Sequence, residues 1–110
     1  MKSLPQRYNK IASEMKRHLQ DKFGSNIDEL IFYGSRVTGK AKRYSDYDFL
    51  IILNKPYDWQ LKTLILDECT EVDLLFNIVS DIKLLSVNEM GTIKGKLPFI
   101  QEALKTGIHL

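Results

Sequence analysis

Two aspartates, Asp46 and Asp48, stand one residue apart directly before the apolar run FLIIL at residues 49–53. Side chains alternate along a strand, so both carboxylates are expected to project from the same side where that run begins. Like charges about 4 Å apart repel by roughly 4 kcal/mol at an effective dielectric of about 20. The pair therefore requires protons or cations, and hard oxygen ligands of this kind suit Mg²⁺.

A third carboxylate, Asp73, is predicted to join this pair. The segment EVDLLFNI at residues 71–78 is interpreted as a strand whose apolar residues share one face, which leaves Asp73 on the other. If that strand neighbours the first one, Asp73 can lie beside Asp46 and Asp48, with Glu71 as the alternative on the same face. Three such carboxylates would hold one or two magnesium ions, which can align an attacking oxygen and stabilise a leaving pyrophosphate.

A Gly-Ser turn precedes the aspartates. Gly34 allows the backbone to approach a phosphate closely, and the Ser35 hydroxyl and the amides of a following helix can donate to its oxygens. Arg36 follows directly and is a candidate phosphate ligand, whereas the other basic residues of the loop are typical of a solvated surface. Ser45, just before Asp46, completes the nucleotide-binding candidates.

Alternating helices and strands are predicted to position these residues. One apolar stripe predicts a helix that ends at Gly24; it comprises Leu4, Tyr8, Ile11, Met15, Leu19 and Phe23. Strands are predicted at 27–33, 49–53 and 71–78, and a terminal edge strand at 108–110. Further helices are predicted at 35–42, 59–66, 80–88 and 98–105, and a mobile loop at 91–97. The expected class is therefore α/β, with a small mixed sheet flanked by helices.

Composition narrows the function classes. The chain has 110 residues and a net charge of +2, which predicts one domain over residues 1–110 and no strong nucleic-acid binding. The lone Cys69 cannot form an internal disulfide, and His18 and His109 lie too far apart for zinc-site spacing. No run approaches the length of a membrane helix. We expect a cytoplasmic protein without membrane association.

The pattern G-S-x10-D-x-D before an apolar strand resembles the nucleotidyltransferase superfamily related to DNA polymerase β, and the chain's size is similar to that of the minimal nucleotidyltransferases (MNT proteins). The resemblance implies a polymerase β-like fold, an ATP and Mg²⁺ site, and AMP transfer with pyrophosphate release. By position it implies that Gly34 and Ser35 hold the triphosphate, that Asp46 and Asp48 bind two metals, and that Asp73 binds the catalytic metal and helps to deprotonate the acceptor.

MNT proteins are commonly paired with HEPN-domain ribonuclease toxins, so the resemblance implies an antitoxin that adds AMP to a toxin tyrosine. Two alternatives stay open: a binding module that neutralises the toxin by occlusion, and a nucleotidyltransferase acting on a small molecule or an RNA end. The additional acceptor-binding domain of larger relatives has no room in 110 residues. The acceptor is therefore expected to be presented by another molecule, and a homo-oligomer is open.

Overall fold

The protein is described here by a computed structural model that covers residues 4–110. The strands of this part of the chain are β1 (Ile27–Tyr33), β2 (Tyr47–Leu53), β3 (Ser80–Ser86) and β4 (Ile108–His109). They form one mixed sheet in the order β3-β2-β1-β4. Strand β1 runs antiparallel to both β2 and β4, whereas β2 and β3 are parallel. The small mixed sheet expected from the sequence is confirmed.

Four α-helices accompany the sheet within the described residues: α1 (Gln6–Phe23), α2 (Ser35–Thr38), α3 (Trp59–Phe76) and α4 (Pro98–Thr106). Helices α1 and α3 cover one face, and α4 covers the other. Short 3-10 turns lie at Gly24–Asn26, Val87–Glu89 and Lys94–Lys96. None of the helices formed by residues 4–110 is long and apolar enough to cross a membrane.

Alternation along the strands divides the core into two layers. Phe32 and Phe49 point toward α1 and α3, where their rings stack with centroids 5.0 Å apart. Their neighbours Ile31 and Leu50 point toward α4. Because β1 and β2 are buried on both faces, they carry continuous apolar runs rather than a polar alternation. Such runs were the signal that located both strands in the sequence.

Two neighbouring elements differ from the prediction. Residues 71–78 do not form a strand, because α3 continues to Phe76 and ends at Asn77 in the left-handed conformation (φ 54°). Residues 80–88 do not form a helix, since they contain strand β3. The buried residues Ile65, Cys69 and Val72 follow helical spacing. That spacing is the signal that outweighs the local alternation of 71–78.

The remaining elements follow the prediction closely. Helix α1 ends at Gly24, β1 ends before Gly34, and α4 begins with Pro98 at its first position. Helix α2 is shorter than expected because Gly39 (φ 83°) ends it. The predicted loop at 91–97 contains a 3-10 turn, and the terminal residues pair with β1 as an edge strand.

Candidate active site

The start of β2 places Asp46 and Asp48 at one end of the sheet. Tyr47 is buried on the α1 and α3 face, so Asp48 points to the opposite face, the one that α4 covers. Asp46 precedes the strand and is exposed, whereas Asp48 is partly buried. Tyr47 therefore points away from the Asp48 carboxylate, as alternation along a strand requires.

Strand β3 brings a different third carboxylate to Asp48 than the sequence suggested. Asp81 is the parallel register partner of Asp48, and their side chains share one face. Burial, followed by the charges of Asp81 and Asp46, raises the pKa of Asp48 to about 6. Lys83 offsets part of this charge, with its Nζ 3.2 Å from Asp81 Oδ1. The site holds more negative charge than the nearby cation balances.

Sequence reasoning missed Asp81 because residues 80–88 were interpreted as a helix. The alternation in SDIKLLS was the available signal, since Ile82 and Leu84 face the α1 and α3 core while Leu85 faces α4. This alternation puts Asp81 on the α4 side, where Asp48 also lies.

Asp73, the carboxylate predicted to complete the set, lies elsewhere. The prediction that it sits on a strand beside Asp48 is wrong, because it occupies the last turn of α3, on the opposite face of the sheet. Its Oδ2 accepts the backbone N–H of Ser80 at 3.1 Å, and its carbonyl accepts the N–H of Ile78 at 3.0 Å. Asp73 therefore ties the end of α3 to the start of β3. Glu71, the alternative, is also on α3 and exposed.

Gly34 lies directly against the Asp48 carboxylate. Tyr33 is the register partner of Asp48, and Gly34 follows with a left-handed φ of 86°. A Cβ at this position would collide with the Asp48 carboxylate, so a side chain is excluded by both space and conformation. The Gly-Ser turn and Asp48 are separated in the sequence, but in the structure they form one continuous surface.

Ser35 is the first residue of α2, and Gly34 occupies the N-cap position. The Gly34 carbonyl accepts from Val37 and Thr38 at 3.0 and 3.1 Å. The first amides of a helix have no intrahelical acceptor. The turn therefore presents N–H groups and the partly buried Ser35 beside Asp48.

Arg36 connects the turn to the loop that carries the aspartates. Its Nε donates to the Ser45 carbonyl at 3.1 Å, its NH1 donates to the Tyr8 hydroxyl at 2.9 Å, and its guanidinium lies 4.1 Å from the Tyr47 ring centroid. The Ser45 hydroxyl accepts the N–H of Lys42 at 2.8 Å. Both side chains are engaged within the fold, on the face opposite Asp48. Their contact with nucleotide stays a prediction.

Asp48 and its acidic neighbours Asp46 and Asp81 fit a magnesium ion whose remaining ligands come from the substrate. Within residues 4–110, no three His, Cys, Asp or Glu side chains lie close enough together to hold a metal by themselves. Mg²⁺ is commonly bound by one or two carboxylates together with substrate phosphate oxygens. Asp48, with its raised pKa and its acidic neighbours, has the chemistry of such a ligand.

Comparison with known proteins agrees with this geometry. Residues 12–104 match the nucleotidyltransferase domain family. The probable protein adenylyltransferase MntA of Haemophilus influenzae is 36% identical over 75 residues, which cover 67% of this chain and 66% of that protein. The chain thus spans just under two thirds of the length of this relative.

Solved structures share the fold. A toxin-antitoxin crystal structure with AMP-PNP superposes with a TM-score of 0.61 at 16% identity, covering 89% of this chain and 70% of that one. A complex of tri-AMPylated Shewanella oneidensis HEPN toxin with MNT antitoxin gives a TM-score of 0.56 at 14% identity, covering 93% and 70%. The resemblance stated from the sequence is confirmed, and the chain belongs to the nucleotidyltransferase domain family.

Proposed function

We propose that the protein is a magnesium-dependent adenylyltransferase that transfers AMP from ATP to a hydroxyl of a HEPN toxin protein. The observation that carries this proposal is the contact of the Gly34 backbone with the Asp48 carboxylate, beside Asp81. A phosphate-accepting turn and a metal-attracting acidic pair on one surface suit phosphoryl-type transfer.

The chain's own residues have separate roles in this proposal. The Gly34 backbone admits the triphosphate, and Ser35 with the first α2 amides donates hydrogen bonds to its oxygens. Asp46, Asp48 and Asp81 would bind Mg²⁺ only together with oxygens of the triphosphate, and the ion would screen the triphosphate charge and stabilise the leaving pyrophosphate. We propose that two ions bind. Asp81 thereby takes the place first given to Asp73.

The proposed reaction transfers AMP in one displacement at the α-phosphorus of ATP. The acceptor oxygen attacks the α-phosphorus, the bond between the α-phosphorus and the bridging oxygen breaks, and pyrophosphate leaves. In this proposal Asp81, which is partly exposed beside Lys83, would accept the proton of the attacking hydroxyl and pass it to solvent. The proposed preference for adenine is inferred from similar proteins, since one solved toxin-antitoxin complex contains AMP-PNP and another contains an AMPylated toxin.

The partner is inferred from the same relatives. One solved complex pairs an AMPylated HEPN toxin with an MNT antitoxin, and the curated relative is a probable protein adenylyltransferase. We therefore propose a HEPN toxin as acceptor, presenting a tyrosine hydroxyl to the Asp48 end of the sheet. We place the reaction in the cytoplasm, where ATP is available and the free, buried Cys69 stays reduced.

Intact-mass spectrometry tests the proposal. A small amount of the protein with Mg-ATP should convert an excess of HEPN toxin to a species heavier by one AMP, or by a multiple of it. The matched control is the double variant Asp46→Asn, Asp48→Asn, which should leave the toxin mass unchanged. An unmodified toxin that is nevertheless neutralised by equal amounts of this double variant would establish occlusion instead.

A further inference from the structure

A cavity of about 600 Å³ opens at the same end of the sheet as Asp48 but beside the α1 and α3 layer. Arg7, Arg36 and Arg43 line it together with tyrosines that include Tyr8 and Tyr44, and none of its lining residues is acidic. The sign of its charge is therefore opposite to that of the Asp48 surface.

The three arginine side chains differ in the hydrogen bonds that they form within the chain. Arg7 donates to the Phe76 carbonyl at 2.6 Å, and Arg36 bonds Ser45 and Tyr8. The guanidinium carbon of Arg43 lies 5.5 Å from the ring centroid of Tyr44. Within residues 4–110 no hydrogen bond holds the Arg43 side chain, so it can turn toward an incoming anion without breaking one.

The rim of the cavity is apolar and exposed. Tyr44 and Val79 both line it, with 86% and 64% of their surfaces exposed. Isolated exposed apolar residues are ordinary, but these two lie on the lining of one cationic cavity, so the cavity offers an apolar surface beside its positive charge.

The cavity shares its backbone with the acidic site. Ser45 lines the cavity and directly precedes Asp46. The Tyr47 N–H donates to the Val79 carbonyl at 2.9 Å, so the rim is joined to the strand that carries Asp48. A partner that occupies the cavity is therefore held at the end of the sheet where transfer would occur.

We propose that this cavity docks the acceptor protein through a segment in which an acidic side chain is flanked by apolar ones. The carboxylate would pair with Arg43, and the apolar neighbours would cover Tyr44 and Val79. RNA fits less well, because a phosphate backbone would leave the apolar rim uncovered. The inference rests on the proposed function for the identity of the partner, but not for its catalytic step.

Binding, measured apart from catalysis, tests the inference. The variants Arg43→Glu and Val79→Asp are titrated with the HEPN toxin in the absence of nucleotide. Each should weaken the toxin Kd at least tenfold, and raising salt should reduce the difference between wild type and Arg43→Glu. Lys62→Glu is the matched control: it reverses an exposed charge near the start of α3, roughly 21 Å along the helix from Phe76. Its Kd should equal that of wild type.

Mg-ATP affinity, measured on the same variants, separates docking from nucleotide binding. Val79→Asp should leave it unchanged, because Val79 is exposed and lies outside the acidic site. Unaltered toxin binding by both cavity variants would overturn the inference, as would weakened binding of a single-stranded RNA with intact toxin binding. If both variants lose the toxin while wild type binds without AMP transfer, the docking site stands and the adenylyltransferase proposal fails.

Discussion

At the start of β2, adjacent residues point to opposite faces of the sheet and lie beside charges of opposite sign. On one face, Tyr47 lies under the Arg36 guanidinium, which also bonds Ser45. On the other, Asp48 stands in register with Asp81 and near Asp46, and its pKa rises to about 6. On the first face, Arg36 is engaged by partners within the chain, whereas Asp48 on the second lies among uncompensated negative charge.

This contrast distinguishes residues that stabilise the fold from residues that await a ligand. A cation packed on an aromatic ring with satisfied hydrogen bonds stabilises a folded chain. Neighbouring carboxylates destabilise it unless a proton or metal intervenes. Arg36 was predicted to bind nucleotide because it follows Ser35, but the structure engages it in holding the loop of residues 39–46.

The largest effect is expected from Asp48→Asn. Removing a proposed metal ligand should lower AMP transfer about 1,000-fold, equivalent to roughly 4 kcal/mol of transition-state stabilisation. Metal-free stability should stay equal or rise, because one of the repelling charges is gone. Transfer rates and urea unfolding in EDTA measure the two effects. Asp67→Asn, an exposed change on α3, is the control and should alter neither. Wild-type turnover by Asp48→Asn would end the metal-site proposal.

The second prediction compares Asp81 with Asp73. Asp81→Asn should slow transfer by about two orders of magnitude at nearly unchanged stability, since its half-exposed pair with Lys83 contributes at most about 1 kcal/mol. Asp73→Ala should instead cost about 1–3 kcal/mol of unfolding free energy, because the Ser80 N–H loses its acceptor. The opposite assignment of the two phenotypes would return Asp73 to the active site.

Arg36→Lys should act mainly on stability. A lysine retains the charge but loses the planar contact with Tyr47 and the forked donation to the loop, at a cost of about 2 kcal/mol. The control is Arg17→Lys, because Arg17 forms exposed ion pairs on α1 that contribute little. Chemical denaturation measures both. A stable Arg36→Lys variant that has lost Mg-ATP affinity would instead make Arg36 a nucleotide ligand.

The smallest expected effect is a pH dependence. Asp48 has an ordinary pKa of 3.8 and one of about 6 in the folded chain, so the folded state holds its proton more tightly. Its contribution to stability is therefore fully present below pH 3.8 and is lost as the pH rises through about 6. Denaturation between pH 4 and 7 in EDTA should show this loss in wild type, with a flatter profile in Asp48→Asn. Identical profiles would contradict it.

An element could be predicted from the sequence wherever its residues follow only one hydrophobic pattern. Gly34 and Asp48 were located because each borders a continuous apolar run, and these runs become β1 and β2. The segment at 71–78 carried two signals, since its apolar residues alternate and also continue the helical spacing of Ile65 and Cys69. Packing against the sheet favours the helix at this segment, and the third strand is formed by residues 80–86 instead. Contact between Gly34 and Asp48 could not be predicted, because it depends on the register of β1 with β2.

The register of β3 against β2 has a consequence for how the chain reaches its native state. A slip of two residues would keep each side chain on its own face and place Lys83, not Asp81, opposite Asp48, exchanging a repulsive pair for an attractive one. The native alignment is therefore locally frustrated at this pair of carboxylates. The turn after α3 opposes the slip, because Asp73 holds the Ser80 N–H and Asn77 adopts a left-handed conformation. A divalent cation at the carboxylates would relieve the same frustration, so refolding with Mg²⁺ should reach the native register faster than refolding in EDTA.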